Sequence, residues 1–234
     1  MATTNDELLN GLFGDAPHDL RAPLSIWLHN SRHFAAFVGT YRTKIRKKLR
    51  LAVGESVGDL HLELETAYLL LHAPDLVLRY EPQPVGRART PDFALDLGSA
   101  RTHLEVTRIR TLLVAAQLAE HLELTIAAKL GQLAADAPNV LLIAVAAPTL
   151  TTEMLRAILG GLQRRAEADD AVVLQRAGLR DRAAFFGAFQ CLSAIIVRPL
   201  APGTPPILWH NPQARHPLPA RVQRVLMRSL DHCS

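Results

Sequence analysis

Residues 89–110 read RTPDFALDLGSARTHLEVTRIR. Two runs with a period of two, residues 92–97 and 102–109, flank a short segment that holds Gly98 and Ser99. Alternation of this kind on either side of turn-forming residues predicts an antiparallel hairpin. A turn on Ser99 and Ala100 sets Gly98 against Arg101, Asp92 against Thr107, Asp96 against His103 and Ala94 against Glu105. Side chains alternate between faces along a strand. One face therefore carries Phe93, Leu95, Leu97, Leu104 and Val106, and the other Asp92, Asp96, His103, Glu105 and Thr107. In that register Asp92 and Glu105 are diagonal neighbours, roughly 7–8 Å apart at the backbone. Two converging carboxylates can share one hard divalent cation, for which oxygen ligands favour Mg²⁺ or Mn²⁺. The plain alternative is a hairpin whose polar face is simply solvated.

Working outward, residues 76–81 form a third short strand that ends at Pro82. A helix over about 59–72 precedes it, with Asp59 in the N-cap position. Before a break at 54–58, Ser31 caps a helix that runs to about Val53 and lines Phe34, Phe37, Val38, Tyr41, Ile45 and Leu49 along one side. Residues 1–30 carry short helical patches around 5–12. After the hairpin, residues 111–135 read as a long helix. Residues 139–146 are a continuous apolar run between prolines, the pattern of a strand covered on both faces. Residues 151–168 form a helix that Gly160-Gly161 is expected to bend or interrupt. Residues 192–197 form another buried strand, 202–219 a loop, and 219–230 a last helix. This order predicts an α/β protein with a mixed β-sheet flanked by helices. Residues 1–55 would be an N-terminal helical extension, and 56–234 the core with its C-terminal helix.

The net charge of +4 and pI of about 9.4 suit a nucleic-acid partner without requiring one. Arg42, Lys44, Arg46, Lys47, Lys48 and Arg50 crowd one stretch, either a solvated helix face or a phosphate-contacting surface. The longest apolar run, 140–148, is far short of the ~20 residues of a membrane helix, and residues 1–6 are polar, unlike a secretory leader. A cytoplasmic location and no membrane partner are expected. Cys191 and Cys233 form no CxxC motif and do not suggest zinc. The histidines have no metal-ligand spacing, no G-x-S-x-G elbow is present, and the glycines form no phosphate loop. The segment WHNPQARHPLP, residues 209–219, reads as a fixed surface turn around Asn211 and Arg215.

The hairpin and the helix before it resemble the PD-(D/E)xK, or restriction-endonuclease-like, nuclease superfamily. Pro91-Asp92 resembles the PD of its second core strand, and Glu105-Val106-Thr107 the (D/E)xK of its third. In His61–Ala67, HLELETA, Glu63 resembles the additional acid of the preceding helix, with Glu65 as the alternative. The resemblance spans roughly residues 57–148. It implies a restriction-endonuclease-like fold, with Asp92, Glu105 and Glu63 holding Mg²⁺ (or Mn²⁺) and hydrolysing phosphodiester bonds of DNA or RNA. Thr107 stands where the motif has lysine, as in E-x-T variants among bacterial members. Some members take the lysine from the following helix, where Lys129 is the one lysine, a turn from Gln132. The catalytic set implied is thus Asp92, Glu105, Lys129, Glu63 and Thr107. The implied partner is nucleic acid, DNA foremost, and a homodimer is compatible. Two other readings stay open: an inactive nuclease fold that binds nucleic acid or a protein through the basic helix, and an unrelated α/β enzyme with a solvated hairpin.

Overall fold

The computed structural model describes residues 4–14, 16–83, 90–109, 115–146, 150–201 and 203–231. Within them the chain runs α1 (Asn5–Phe13), α2 (Arg21–Asn30), α3 (Arg32–Leu51), α4 (Glu55–Leu70), β1 (Leu76–Tyr80), β2 (Phe93–Leu97), β3 (Ala100–Ile109) and α5 (Ala115–Leu130). It continues β4 (Asn139–Val145), α6 (Thr152–Glu167), α7 (Ala171–Ala177), α8 (Arg182–Phe189), β5 (Leu192–Pro199), β6 (Ile207–His210) and α9 (Ala220–Asp231). The expected helix start at 111 and Cys233 lie outside the described residues. Among the described residues no helix is long and apolar enough to cross a membrane.

The strands form one mixed sheet in the order β1-β2-β3-β4-β5-β6. The β1–β2, β2–β3 and β5–β6 pairs are antiparallel, and β3–β4 and β4–β5 are parallel. Parallel neighbours need a crossover. α5 supplies the first, and α6, α7 and α8 the second. β4 and β5 are buried at every position, as apolar runs covered on both faces require. Leu104, Val106, Val140, Leu142, Ala194 and Ile196 face a core closed by α4, α9 and the first three helices. Ile109, Leu141, Ile143, Ile195 and Val197 face a second core under α5, α6, α7 and α8. The N-terminal helices therefore share a core with the sheet: Phe34, Phe37, Val38, Ile45 and Leu49 of α3 are buried there, and the Ser31 hydroxyl accepts from Phe34 N–H at 3.2 Å.

Four local expectations need correction. α4 begins one turn early, capped by Gly54 at φ 58°, so Asp59 is no cap and instead accepts from Arg108 at 3.1 Å. α6 runs unbroken through Gly160-Gly161. Gly161 faces α5, where a Cβ would stand 2.6 Å from Glu123 Oε1. The 202–219 loop contains β6, a four-residue strand hidden among prolines. α7 and α8, absent from the sequence reading, are short helices capped by Asp170 and Asp181 side chains.

Of the 209–219 segment, Trp209 and His210 end β6, and the irregular remainder is pinned at a buried Asn211 rather than lying wholly on the surface. Asn211 is buried and its amide donates to Phe189 and Leu192 carbonyls, both at 2.8 Å. Asn139 plays a similar part at the start of β4, 2% exposed, with Nδ2 within 2.9 Å of the Ala134, Ala137 and Cys191 carbonyls. An orphaned buried acceptor costs about 1–3 kcal/mol. Asn139→Ala is therefore expected to lower unfolding free energy by about 2–4 kcal/mol in a urea titration; a loss below about 0.5 kcal/mol would contradict this role.

Candidate active site

β2 and β3 pair with Phe93 against Leu104 and Leu97 against Ala100, two residues away from the expected register. The turn is Gly98-Ser99, with Gly98 at φ 63°. Two-residue hairpins need positive φ in the turn, which glycine adopts without strain. A turn on Ser99-Ala100 would ask it of residues with a Cβ. One further step of the observed register sets Asp92 straight across from Glu105 rather than diagonal to it. Asp92 lies just outside β2, and its Oδ2 accepts from Val106 N–H at 2.8 Å. That bond anchors the carboxylate beside β3.

Glu105 is 6% exposed and points to the α5 side of the sheet, where Lys129 from the last turn of α5 reaches it at 3.0 Å. The lysine thus stands beside the acid pair without belonging to the strand motif. Thr107, two residues along β3, shares the Glu105 face and is half-buried. Gln132 turns back to the Ala128 carbonyl at 2.7 Å.

Burial, then the charge of Glu105, pushes the Asp92 carboxyl up to about 6, against the Val106 N–H and the ammonium charges of Lys129 and Lys48. Glu63 is raised by burial and then by the charge of Asp92, against Lys48 and Tyr80. Asp92 therefore feels both other acids and both lysines. Asp92, Glu105, Glu63 and Lys129 come together at one end of the β1–β2–β3 ladder.

Three further groups complete this end and escaped the sequence reading. Lys48 of α3 lies 2.7 Å from Glu63 Oε2, 2.8 Å from Glu81 Oε1 and 5.0 Å from the Tyr80 ring centre. Burial disfavours its ammonium, but Glu63 and Glu81 outweigh that and hold its pKa above the ordinary value. The Tyr80 hydroxyl donates to the same Glu63 oxygen at 2.7 Å. Glu81 holds φ 42°, a left-handed backbone costly for a residue with a side chain, and its carbonyl accepts from Lys44 at 2.6 Å. The basic stretch of α3 thus divides. Lys44 and Lys48 turn to the end of β1, while Arg46, Lys47 and Arg50 are exposed. Nothing in the spacing of six basic residues singles out Lys48.

The remaining candidates lie elsewhere. Glu65, the alternative to Glu63, receives both Arg198 nitrogens, at 2.9 and 3.1 Å, under α4. Asp96 pairs with Arg79 and Arg101; burial opposes its charge, but the two guanidiniums hold its pKa below the ordinary value. His103 is half-buried, and its Nδ1 has no hydrogen-bond partner among the described residues.

Among the described residues no group of three or more His, Cys, Asp or Glu side chains is arranged to hold a metal ion. One oxygen of each acid is already engaged, Asp92 by Val106 N–H, Glu105 by Lys129, and Glu63 by both Lys48 and Tyr80, and Asp92 and Glu105 are the pair that face each other across the strands. No protein-family model, curated protein or solved structure matches this chain.

Proposed function

We propose that this protein is a metal-dependent nuclease with a restriction-endonuclease-like core, which hydrolyses phosphodiester bonds of DNA or RNA. The observation that carries the reading is the Lys129 ammonium, 3.0 Å from Glu105 and close enough to bias the charge of Asp92. The nuclease motif that this hairpin resembles carries a lysine beside its acid pair, and Thr107 cannot supply that charge. Lys129, delivered from the helix after the third strand, is a substitute for the motif lysine.

The donor set fits Mg²⁺ or Mn²⁺. Asp92 and Glu105 are hard oxygen ligands; burial first and then the charge of Glu105 raise the Asp92 pKa, and a cation between the two acids would relieve both costs. Mg²⁺ characteristically binds through one or two carboxylates and keeps its remaining positions for water and phosphate. Bound there, the ion would polarise the phosphate and lower the pKa of a water. Lys129 orients that water by hydrogen bonding and stabilises charge developing on the phosphoryl oxygens. Glu63, braced by Lys48 and Tyr80, acts through water. Thr107 offers a neutral hydroxyl to water or phosphate. The exposed Arg46, Lys47 and Arg50, on the same helix as Lys48, suit contact with a nucleic-acid backbone.

The test is cleavage of mixed DNA and RNA substrates in Mg²⁺ and in Mn²⁺, comparing wild type with Asp92→Ala and Glu105→Ala. Cleavage that requires the metal and falls at least about a hundredfold in both variants is the expected result. Absence of cleavage by folded wild type overturns the hydrolase reading in favour of a binding module. Cleavage that survives both substitutions moves the chemistry elsewhere.

A further inference from the structure

The second feature of this molecule lies at the far end of β2 from Asp92, roughly 17 Å along the strand. The periodicity of α9 divides it into two sides. Val222, Leu226 and Leu230 are buried in the core beneath α4. Arg221, Arg224 and Arg228, at i, i+3 and i+7, form a row on another side and are exposed. That row is one wall of an open-sided cavity of about 720 Å³, within the range of small-molecule sites. The other wall comes from the end of α4 and the turn after it. There Tyr68 stacks on Trp27 with centres 5.5 Å apart and meets His72 edge-on at 4.7 Å, beside Leu69 and the β2 residue Leu97.

The charges of this cavity are uneven. Arg221 pairs with the exposed Asp75 at 3.0 Å. Arg224 and Arg228 have no hydrogen-bond or ion-pair partner among the described residues. They stand one helical turn apart, about 6 Å along the axis, so both can reach one phosphate. His72 Nδ1 lies 2.9 Å from the Tyr68 carbonyl, a bond that needs the proton on Nδ1 and leaves Nε2 an acceptor in the neutral ring. Guanidinium forks match phosphate oxygens in geometry and charge. The aromatic and apolar wall opposite them suits the flat body of a base.

We propose that this cavity binds a nucleoside phosphate, either as a free nucleotide or as the phosphorylated end of a nucleic-acid strand. The site is independent of Asp92 and Glu105 and of the reaction assigned to them. A simple anion would use only the arginine wall, and a neutral apolar ligand would leave two cations uncompensated above it. The nucleoside phosphate satisfies both walls.

Calorimetric titration of the full chain in EDTA, which stops metal-dependent hydrolysis, tests this with AMP, adenosine and inorganic phosphate. AMP is expected to bind about tenfold or more tighter than either. Arg224→Gln and Arg228→Gln, both at exposed positions, should each weaken AMP about tenfold, while Asp92→Asn leaves it unchanged. If AMP fails to bind, a 5′-phosphorylated tetranucleotide that outcompetes its 5′-hydroxyl counterpart, in an arginine-dependent way, assigns the cavity to a strand end. No binding of either probe overturns the proposal. Equal binding of AMP and phosphate overturns the nucleoside part, and AMP affinity unaltered in both arginine variants overturns the location. Circular dichroism of the variants separates these results from misfolding.

Discussion

Lys129→Met is expected to slow phosphodiester cleavage by about 10²–10³-fold at saturating metal, the usual cost of removing one preorganised group that stabilises transition-state charge. The side-chain length is nearly kept and the cation is lost, so substrate binding should change little and kcat should carry most of the effect. The same substitution has a second, metal-free consequence. Glu105 is 6% exposed and Lys129 is its 3.0 Å partner, so the variant leaves a buried carboxylate without a cation. Breaking such a pair destabilises, and with Lys129 itself partly solvated the loss should be about 1–3 kcal/mol in EDTA. Added Mn²⁺ should recover part of that stability without recovering the rate. A variant that cleaves within about threefold of wild type would remove Lys129 from the mechanism and with it the main support for the nuclease reading.

Asp92→Asn is expected to do the reverse to stability. Burial and Glu105 push the Asp92 carboxyl up to about 6, against about 4 in an unfolded chain. Between those two values the folded protein holds a proton that the unfolded chain has released. The stability of metal-free wild type therefore falls as pH rises from about 4 through about 6, and the full penalty persists above that. Asparagine has no charge to bury, and its Oδ1 can still accept from Val106 N–H. In EDTA the variant should match wild type near pH 4 and exceed it by roughly 1–3 kcal/mol at pH 8. In Mn²⁺ the order should reverse, because only wild type gains from the metal. Urea titrations at both pH values, with and without Mn²⁺, check all four points. A variant less stable than wild type at pH 8 in EDTA would show that Asp92 is a structural acceptor rather than a strained ligand. Loss of stability to gain chemistry is the expected signature of acids gathered for catalysis.

Strong local patterns in the sequence account for much of the fold. Alternation at 92–97 and 102–109 determined a hairpin, and the apolar runs at 139–145 and 192–197 determined two strands covered on both faces. The hydroxyl of Ser31 marked a helix start, because a cap bonds within its own turn. That Asp92 and Glu105 share the hairpin, and that Lys129 is the one lysine of the next helix, was also legible. Short elements were not: β6 has four residues and α7 seven, too few for a period to show.

Which groups meet was decided only by tertiary structure. The hairpin register turned on whether Gly98 entered the turn, a matter of two residues that moved Asp92 from diagonal to opposite Glu105. Glu63 and Glu65 lie two residues apart on α4, so they face different sides of it. The rotation of α4 on the sheet sends one toward Lys48 and Tyr80 and the other to Arg198. Lys48 lies 15 residues from Glu63, and Lys129 lies 24 from Glu105. Periodicity and capping act over one or two turns of chain, and they specify elements. Contacts between elements depend on how whole buried faces pack, and that packing divided six basic residues of one stretch into a half-buried partner of Glu63, Lys48, a partner of the Glu81 carbonyl, Lys44, and an exposed remainder.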